Sequence, residues 1–194
     1  MAEKKSSLAD INILLGVTGG VAAYKAVDLA SRLTAAGAVV KTAMTQNACQ
    51  LIQPKSFEAV TNSAVYTTLW STSEEYKSTH ISLVEWADIV VITPATANII
   101  AKVANGICDD LVSTILCVCW QKPTFLAPAM NDRMWENPAV QRNVDAVRKM
   151  GFKIIGPEHG RLACGAEGFG RMVEPQEILE LIETIAAELK RNRR

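Results

Sequence analysis

Three side chains in this 194-residue sequence have the chemistry to act on a small polar molecule. Histidine has an ordinary pKa close to neutral pH, as a proton acceptor requires, and His80 directly precedes a strongly apolar segment. Asn131 offers an amide donor that can orient a carboxylate. Cys164 lies in the glycine-rich segment 161–172. Arg161 precedes it closely, and a cationic neighbour favours the reactive thiolate form of cysteine.

Each of these residues also has an ordinary structural interpretation. A single histidine is most often part of the packing, and asparagine commonly forms turns. A glycine-rich segment is mobile enough to close over a substrate, but Cys164 is equally compatible with an inert surface thiol. Residue type alone therefore leaves both interpretations open for His80, Asn131 and Cys164.

Gly19 and Gly20 form a candidate phosphate site between an apolar run and a helical pattern. Bare backbone N–H groups and the positive end of a helix dipole attract phosphate, although a tight turn from strand to helix has the same residues. The spacing is not G-x-G-x-x-G, and Met44-Thr45 supplies no acid for a dinucleotide ribose, so a mononucleotide fits better than NAD. No P-loop, G-x-S-x-G or H-E-x-x-H motif is present.

The hydrophobic pattern predicts the elements that position these residues. Continuous apolar runs are typical of strands buried on both faces, and apolar residues at helical spacing separate them. Strands are predicted at 11–17, 39–44, 88–93, 123–127 and 153–155, and helices at 22–33, 98–104, 111–120, 137–150 and 175–191. This alternation predicts an α/β fold with a three-layer open parallel sheet, Rossmann/flavodoxin-like. We expect one domain over residues 1–194, flexible ends at 1–10 and 190–194, and an exposed loop at 71–79.

The unusual residues follow the strands. They form groups at 18–20, 45–47, 94–98 and 128–131, and a last group at 161–172. Open α/β sheets bind ligands beyond the carboxyl ends of their strands. The coincidence of all five groups on one edge therefore predicts a single site there.

Composition excludes several functions. The formal net charge is +0, which disfavours nucleic acid and anionic membranes as partners. No signal peptide and no membrane-spanning run is present, so we expect a cytoplasmic protein. Five cysteines and two histidines show no zinc spacing, and no metal is predicted. All the cysteines except Cys164 are expected to act as small hydrophobic residues.

Several motifs together resemble the homo-oligomeric flavin-containing cysteine decarboxylases. They are Gly-Val-Thr-Gly-Gly-Val-Ala-Ala-Tyr-Lys (16–25), His80 with Trp-Ala-Asp (86–88), residues 94–98, Gly-Ile-Cys-Asp-Asp-Leu (106–111), Pro-Ala-Met-Asn (128–131) with Met-Trp (134–135), and Ala-Cys-Gly (163–165) with Gly168. The resemblance runs from about Ile11 to Ile185. Pro-Ala-Met-Asn and Ala-Cys-Gly are its specific motifs, whereas the glycine turn is common.

The resemblance implies FMN as the cofactor and a role for each matching residue. The residues expected to hold FMN are Gly19, Gly20, Val21, Thr45, Thr96, Ala97, Asn98, Ile99 and Ala129. His80 corresponds to the catalytic base, Asn131 to the residue that holds the substrate carboxylate, and Cys164 to the proton donor. Arg161 and Ala163 correspond to substrate-contacting positions in a flap. The family forms homotrimers or homododecamers with sites at subunit interfaces, so His80 is expected to serve a neighbouring chain's flavin.

The implied reaction is the decarboxylation of 4'-phosphopantothenoylcysteine to 4'-phosphopantetheine in coenzyme A biosynthesis. A simple carboxylate of this kind has no place for the electrons that loss of CO₂ releases. Transient oxidation of the thiol carbon creates such an electron sink, and a flavin can accept the hydride and return it. Because the sequence ends at Arg194 without a ligase domain, we expect a separate ligase polypeptide to supply the substrate.

Three alternatives share parts of the pattern. Peptidyl-cysteine decarboxylases of the lantibiotic type share the fold, FMN, the histidine and the asparagine but stop at the enethiol, and Cys164 argues against them. Flavin prenyltransferases lack the paired Pro-Ala-Met-Asn and Ala-Cys-Gly motifs. Some eukaryotic relatives are regulatory subunits of phosphatases, but the acidic tails of those proteins are absent here.

Overall fold

A computed structural model of the chain describes residues 6–70 and 78–193. Six parallel strands form its main sheet in the order β3-β2-β1-β4-β5-β6. They are β1 Asn12–Val17, β2 Val39–Met44, β3 Val65–Tyr66, β4 Ile89–Ala95, β5 Thr124–Pro128 and β6 Lys153–Ile154. A separate antiparallel ribbon pairs β7 Glu158–Arg161 with β8 Glu167–Arg171.

Helices cover both faces of the sheet. They are α1 Ala23–Ala35, α2 Gln46–Cys49, α3 Pro54–Thr61, α4 Thr79–Trp86, α5 Ala97–Ala104, α6 Leu111–Val118, α7 Asp132–Trp135, α8 Pro138–Lys149 and α9 Pro175–Asn192. α1 packs against α3 and α9 on one face, and α5 packs against α6 and α8 on the other. The fold is therefore the predicted three-layer α/β architecture.

Strict alternation along the central strands explains the two cores. In β1, Ile13 and Leu15 enter one core while Leu14 enters the other. In β5, Phe125 and Leu126 divide between the two cores in the same way. Side chains of a strand point to opposite faces in turn, so a strand covered by helices on both sides must be apolar throughout. This requirement produces the continuous apolar runs in the sequence.

The order in which strands are added to the sheet reverses between β1 and β4, which makes this a topological switch point. From β1 it proceeds outward through β2 to β3, and it then returns to place β4 on the other side of β1. The helices that follow β1 and β4 lie on opposite faces, so the loops beyond these two strands separate. A crevice at such a switch point is the usual ligand site of an open α/β sheet.

All five predicted strands and all five predicted helices are present, with ends shifted by a few residues. The pattern missed the short elements α2, α3, β3 and α7, and also α4, which carries His80. The segment 161–172, predicted as a glycine-rich loop, is largely the second half of the β7–β8 ribbon. The expected exposed loop at 71–79 lies mostly outside the described residues, and Thr79 begins α4.

The described parts of the expected flexible ends are packed against the domain. Leu8 is fully buried in the core, and the Leu8 N–H donates to the Ala36 carbonyl at 2.9 Å. α9 continues to Asn192, and Lys190 Nζ donates to the carbonyl of Ser7 at 3.1 Å. These contacts hold the described parts of both ends against the domain.

α6 begins with a reciprocal capping interaction that we expect to be important for stability. Asp110 Oδ1 accepts from the Ser113 N–H at 2.8 Å, and Ser113 Oγ accepts from the Asp110 N–H at 3.1 Å. Asp110→Ala should lower the free energy of unfolding by about 1–2 kcal/mol, because a helix N–H loses its partner. Asp110→Asn keeps the capping oxygen and should lose clearly less. Urea unfolding of the three proteins measures this difference, and equal losses in the two variants would contradict it.

Candidate active site

Two adjoining clefts open at the switch point. The first, the β1–β4 cleft, has a volume of about 530 Å³ and lies beyond β1, β2 and β4. The second, the ribbon cleft, has a volume of about 680 Å³ and lies between the β1 and β5 loops and the β7–β8 ribbon. Gly19, Thr96, Ala97 and Met134 border both clefts. A ligand with two parts can therefore extend from one cleft into the other.

The turn after β1 is packed so tightly that it requires glycine. A Cβ atom on Gly19 would lie 2.5 Å from the Cβ of Asn47, and one on Gly20 would lie 3.2 Å from Cγ of Pro94. Thr18 Oγ1, which is buried, donates to the Pro94 carbonyl at 2.7 Å and accepts from the Thr96 N–H at 3.2 Å. The loops after β1 and β4 are thus held together, with the glycine backbone at the edge of the clefts.

The N-terminal ends of two helices supply positive potential to the two clefts. α5 begins at Ala97 on the cleft wall, and Thr96 Oγ1 caps it by accepting from the Ile99 N–H at 3.4 Å. The first N–H groups of a helix have no partners within the helix, and the dipole there favours anions. α1 begins beside Gly20 and Val21 on the ribbon cleft. The arrangement is suited to the phosphate of a mononucleotide.

The ribbon cleft brings together Asn131, Arg161, Ala163 and Cys164. Asn131 caps α7, because its Oδ1 accepts from the Arg133 N–H at 3.0 Å. This bond fixes which way the amide faces and directs Nδ2 toward the Cys164 Sγ at 3.5 Å. The sequence left two alternatives for Asn131, a turn-making role and a ligand-orienting role. The side chain can serve both, because Oδ1 caps the helix and Nδ2 faces the cleft.

The ribbon is anchored at its base, and its tip is exposed. Met130 N–H donates to the Gly170 carbonyl at 3.0 Å, and Lys25 Nζ donates to the Met172 carbonyl at 3.1 Å. Glu174 pairs with Lys25 and with Arg171. These two cations lower the pKa of the Glu174 carboxyl, Lys25 first, so it is charged near neutral pH. The tip, residues 163–167, is exposed and carries Cys164.

Every residue proposed for FMN borders one or both clefts. Gly19, Gly20, Val21, Thr96, Ala97 and Ala129 border the ribbon cleft, and Gly19, Thr45, Thr96, Ala97, Asn98 and Ile99 border the β1–β4 cleft. His80 borders neither cleft; it is half-buried near the start of α4. The structure of the single chain therefore gathers all the proposed site residues except His80, and their roles stay predictions.

Sequence reasoning missed a charged cluster on the wall of the β1–β4 cleft. Lys102 Nζ lies 2.6 Å from Asp109 Oδ1 and 2.6 Å from Asp110 Oδ2. Burial alone would lower the pKa of Lys102, but hydrogen bonds to the two carboxylates raise it, so the ammonium stays charged. In the sequence, Asp109 and Asp110 are part of the motif at 106–111, and no local periodicity connects them to Lys102 on the preceding helix.

Two of the four cysteines expected to act as small hydrophobic residues lie on the surface instead. Cys108 and Cys117 are exposed, whereas Cys119 is buried and Cys49 half-buried. Within residues 6–70 and 78–193, no cluster of three or more metal-binding side chains occurs. In the same part of the chain, no helix combines the length and the apolar character needed to cross a bilayer.

A parallel sheet with paired clefts at its switch point and a glycine turn at a helix start defines a nucleotide-binding α/β protein. Comparison with known proteins gives the family. The Flavoprotein family matches residues 1–187, and the chain belongs to this family.

Curated relatives include the coenzyme A biosynthesis bifunctional protein CoaBC of Bacillus subtilis. It is 44% identical over 177 residues, which cover 91% of this chain and 43% of the relative. CoaBC of Escherichia coli K12 is 44% identical over 175 residues, which cover 90% of this chain and 43% of that protein. The chain thus spans less than half the length of these curated relatives.

Solved structures with the same fold include a cysteine-to-serine mutant of PPC decarboxylase complexed with pantothenoylaminoethenethiol. It superposes with a TM-score of 0.84 at 33% identity and covers 90% of this chain and 97% of that one. The FMN binding protein AtHal3 has a TM-score of 0.81 at 34% identity, covering 90% and 96% of the two chains. The FMN-dependent cysteine decarboxylase SpaF has a TM-score of 0.78 at 35% identity, covering 92% and 98%.

Gly170 provides a test of how the ribbon is seated. Its φ is +143°, and a Cβ there would overlap the carbonyl oxygen of Met130. Gly165 at the tip also has positive φ, +87°, but nothing lies within 4 Å of its Cβ position. Gly170→Ala should therefore loosen the ribbon and speed tryptic cleavage at Arg161 and Arg171 by tenfold or more, roughly the effect of 1.4 kcal/mol on local opening. Gly165→Ala is the matched control, and similar cleavage of both variants would contradict the seating described.

Proposed function

We propose that the chain is an FMN-dependent phosphopantothenoylcysteine decarboxylase, a carboxy-lyase of coenzyme A biosynthesis. The observation that carries the proposal is the placement of the Asn131 amide 3.5 Å from the Cys164 thiol, in a cleft that adjoins the glycine turn and the start of α5. The proposed carboxylate-binding amide of Asn131 and the proposed proton donor Cys164 therefore lie beside the proposed cofactor site. The names of the relatives and solved structures supply the substrate class.

The residues present fit a flavin mononucleotide. Gly19 and Gly20 leave the backbone accessible, and the first turn of α5 offers N–H groups and positive potential to a phosphate. A flavin ring would lie along Ala97 and Ala129, whose small side chains border the ribbon cleft. When bound, FMN supplies reversible hydride acceptance at the thiol-bearing carbon of the substrate.

The chain's own groups orient the substrate and move its protons. Asn131 Nδ2 donates to the substrate carboxylate, and Arg161 and Ala163 contact the substrate from the ribbon. His80 accepts the thiol proton, and Cys164 donates a proton to the enethiolate that remains after CO₂ leaves. Closure of the ribbon tip would exclude water and bring Cys164 to the reacting carbon.

Decarboxylation of another cysteine substrate, such as a peptidyl cysteine, is the alternative, because SpaF, an FMN-dependent cysteine decarboxylase, is as similar in sequence as the PPC decarboxylase structure. Cys164 supports the coenzyme A reaction, since a proton donor at the flap is needed only when the enethiol is reduced. The PPC decarboxylase structure with an enethiol ligand is a cysteine-to-serine mutant, which agrees with a cysteine that acts after CO₂ release. A regulatory role in the manner of some eukaryotic relatives has no separate support in the structure.

We further propose a homotrimer, or a homododecamer built from trimers, in which a second copy completes the site. Large apolar side chains are exposed around the clefts: Trp70 is 86% exposed, Val21 64% and Tyr24 62%. Contact with a second copy would bury them, and it would bring a neighbour's His80 to the cleft. The protein is predicted to be cytoplasmic, and a ligase activity outside residues 1–194 is predicted to make the substrate.

The proposal predicts a yellow protein that binds FMN without a covalent bond and converts phosphopantothenoylcysteine to phosphopantetheine. Mass spectrometry of products should be run beside a peptide that ends in cysteine. Phosphopantetheine from the first and no turnover of the second is expected. Turnover of the peptide alone would favour the alternative, and equal turnover in flavin-free protein would refute the mechanism.

Two variants separate the release of CO₂ from the later formation of phosphopantetheine. His80→Asn should bind FMN but release no CO₂, because the thiol keeps its proton. Cys164→Ser should release CO₂ yet accumulate the enethiol and form no phosphopantetheine. Normal phosphopantetheine yield from either variant would remove the role assigned to that residue.

Mixed oligomers of the two variants test whether a site is shared between chains. If His80 serves a neighbour's cleft, His80→Asn chains retain Cys164 and can receive His80 from Cys164→Ser chains. Random mixing in equal amounts should then restore phosphopantetheine formation to about a quarter of the wild-type rate. If each chain uses its own His80, no mixed site is complete, and the mixture should stay inactive.

A further inference from the structure

A third cleft lies outside the candidate active site. Its volume is about 460 Å³, and it shares only Lys102 with the clefts described above. Its wall is mostly apolar and includes Ile107 and Trp120, which are 47% and 59% exposed. Cys108 and Cys117 both line it, and neither has a role in the proposed reaction.

The backbone brings these two cysteines together. After α5, the chain folds back, and the Ile107 N–H donates to the Lys102 carbonyl at 2.9 Å. Thr114 Oγ1, on α6, donates to the Asp110 carbonyl at 2.7 Å and also lies 3.4 Å from the carbonyl of Cys108. Cys117 lies one helical turn beyond Thr114, so Cys108 is held against the same part of α6 that carries Cys117.

Both cysteines are exposed, both line the third cleft, and their thiols interact with each other. Burial raises the pKa of the Cys108 thiol, and its hydrogen bond with Cys117 and the nearby Asp109 and Asp110 carboxylates raise it further. Cys108 is therefore kept as a thiol near neutral pH. Two exposed thiols that interact and line one cleft can be joined by thiol–disulfide exchange.

The neighbouring cysteine provides a contrast. Cys119 is fully buried, and its Sγ lies 3.4 Å from Thr124 Oγ1. Desolvation raises its pKa to about 11, so it forms little thiolate and is shielded from reagents. Of the three cysteines in this part of the chain, only Cys108 and Cys117 are therefore accessible to oxidants.

We propose that Cys108 and Cys117 form a reversible intramolecular disulfide by exchange with a low-molecular-weight disulfide such as glutathione disulfide. Cys117 attacks one sulfur of the reagent, breaks its S–S bond and releases one thiol. Cys108 then attacks the mixed disulfide at the Cys117 sulfur and releases the second thiol. Two protein thiols are oxidised, one reagent disulfide is reduced, and the two protons leave on the released thiols.

The bond would connect the turn after α5 to α6 covalently. The residues that follow Cys108 are Asp109 and Asp110, which hold Lys102 on the wall of the β1–β4 cleft. Oxidation thus acts on the segment that supports this wall. Disulfides in reducing compartments are usually of this transient, redox-sensing kind.

The test uses FMN-loaded protein incubated with glutathione disulfide, quenched with acid and alkylated. A protease that cleaves before aspartate separates Cys108 from Cys117 at Asp109, so only a disulfide holds the two fragments together. We expect the linked fragments in wild type and in Cys119→Ser, and their loss after dithiothreitol. Cys117→Ser should give no link, and Cys108→Ser should leave glutathione on Cys117 because the second thiol is missing.

Three outcomes would overturn the proposal. One is complete alkylation of both cysteines after incubation with the oxidant. Another is a link that persists in Cys117→Ser and therefore uses Cys119. The third is a link between two chains, seen as a dimer on a non-reducing gel in place of the intrachain product. None of these outcomes depends on decarboxylase activity.

Discussion

The buried hydroxyl of Thr18 joins the two halves of this fold. Its hydrogen bonds to Pro94 and Thr96 cross the point where β1 and β4 send their helices to opposite faces of the sheet. Thr18 and Pro94 are both buried, so removing the Thr18 hydroxyl leaves the Pro94 carbonyl without a partner. The separation of the helices opens the crevice, and the Thr18 contacts hold its two rims in register. The positions of both clefts follow from this one junction.

Binding and reactive groups occupy elements of different stability. The proposed cofactor residues lie on turns fixed by the central sheet, where a ligand meets a preformed surface. The proposed proton donor lies on a small ribbon outside that sheet, held by Gly170, Lys25 and Glu174 at its base. In the proposed reaction, this division would let the cofactor stay bound while the groups that contact the substrate move.

The sheet and the residues at its edge could be predicted from the sequence because their signals are local. Continuous apolar strands and strand-end turns are visible in short windows, and they placed Gly19, Thr96 and Asn131 on one edge. The small elements could not be predicted in this way. α4 lacks a clear polar face, so its pattern does not indicate a helix, and the glycines of the ribbon obscure its strand pattern. The Lys102 cluster depends on how two helices pack, which no single window contains.

The first and last described segments of the chain meet at the edge of the sheet opposite to the two clefts. Leu8 packs into the core, Ser7 accepts from Lys190, and Arg193 pairs with Asp88 near the start of β4. The first and last described residues are thereby held on the same side of the domain. A fusion partner added at one end would emerge beside the other end, away from the strand termini that form the clefts. This geometry is compatible with fusion to other domains, since attached sequence need not cross the edge of the sheet that carries the clefts.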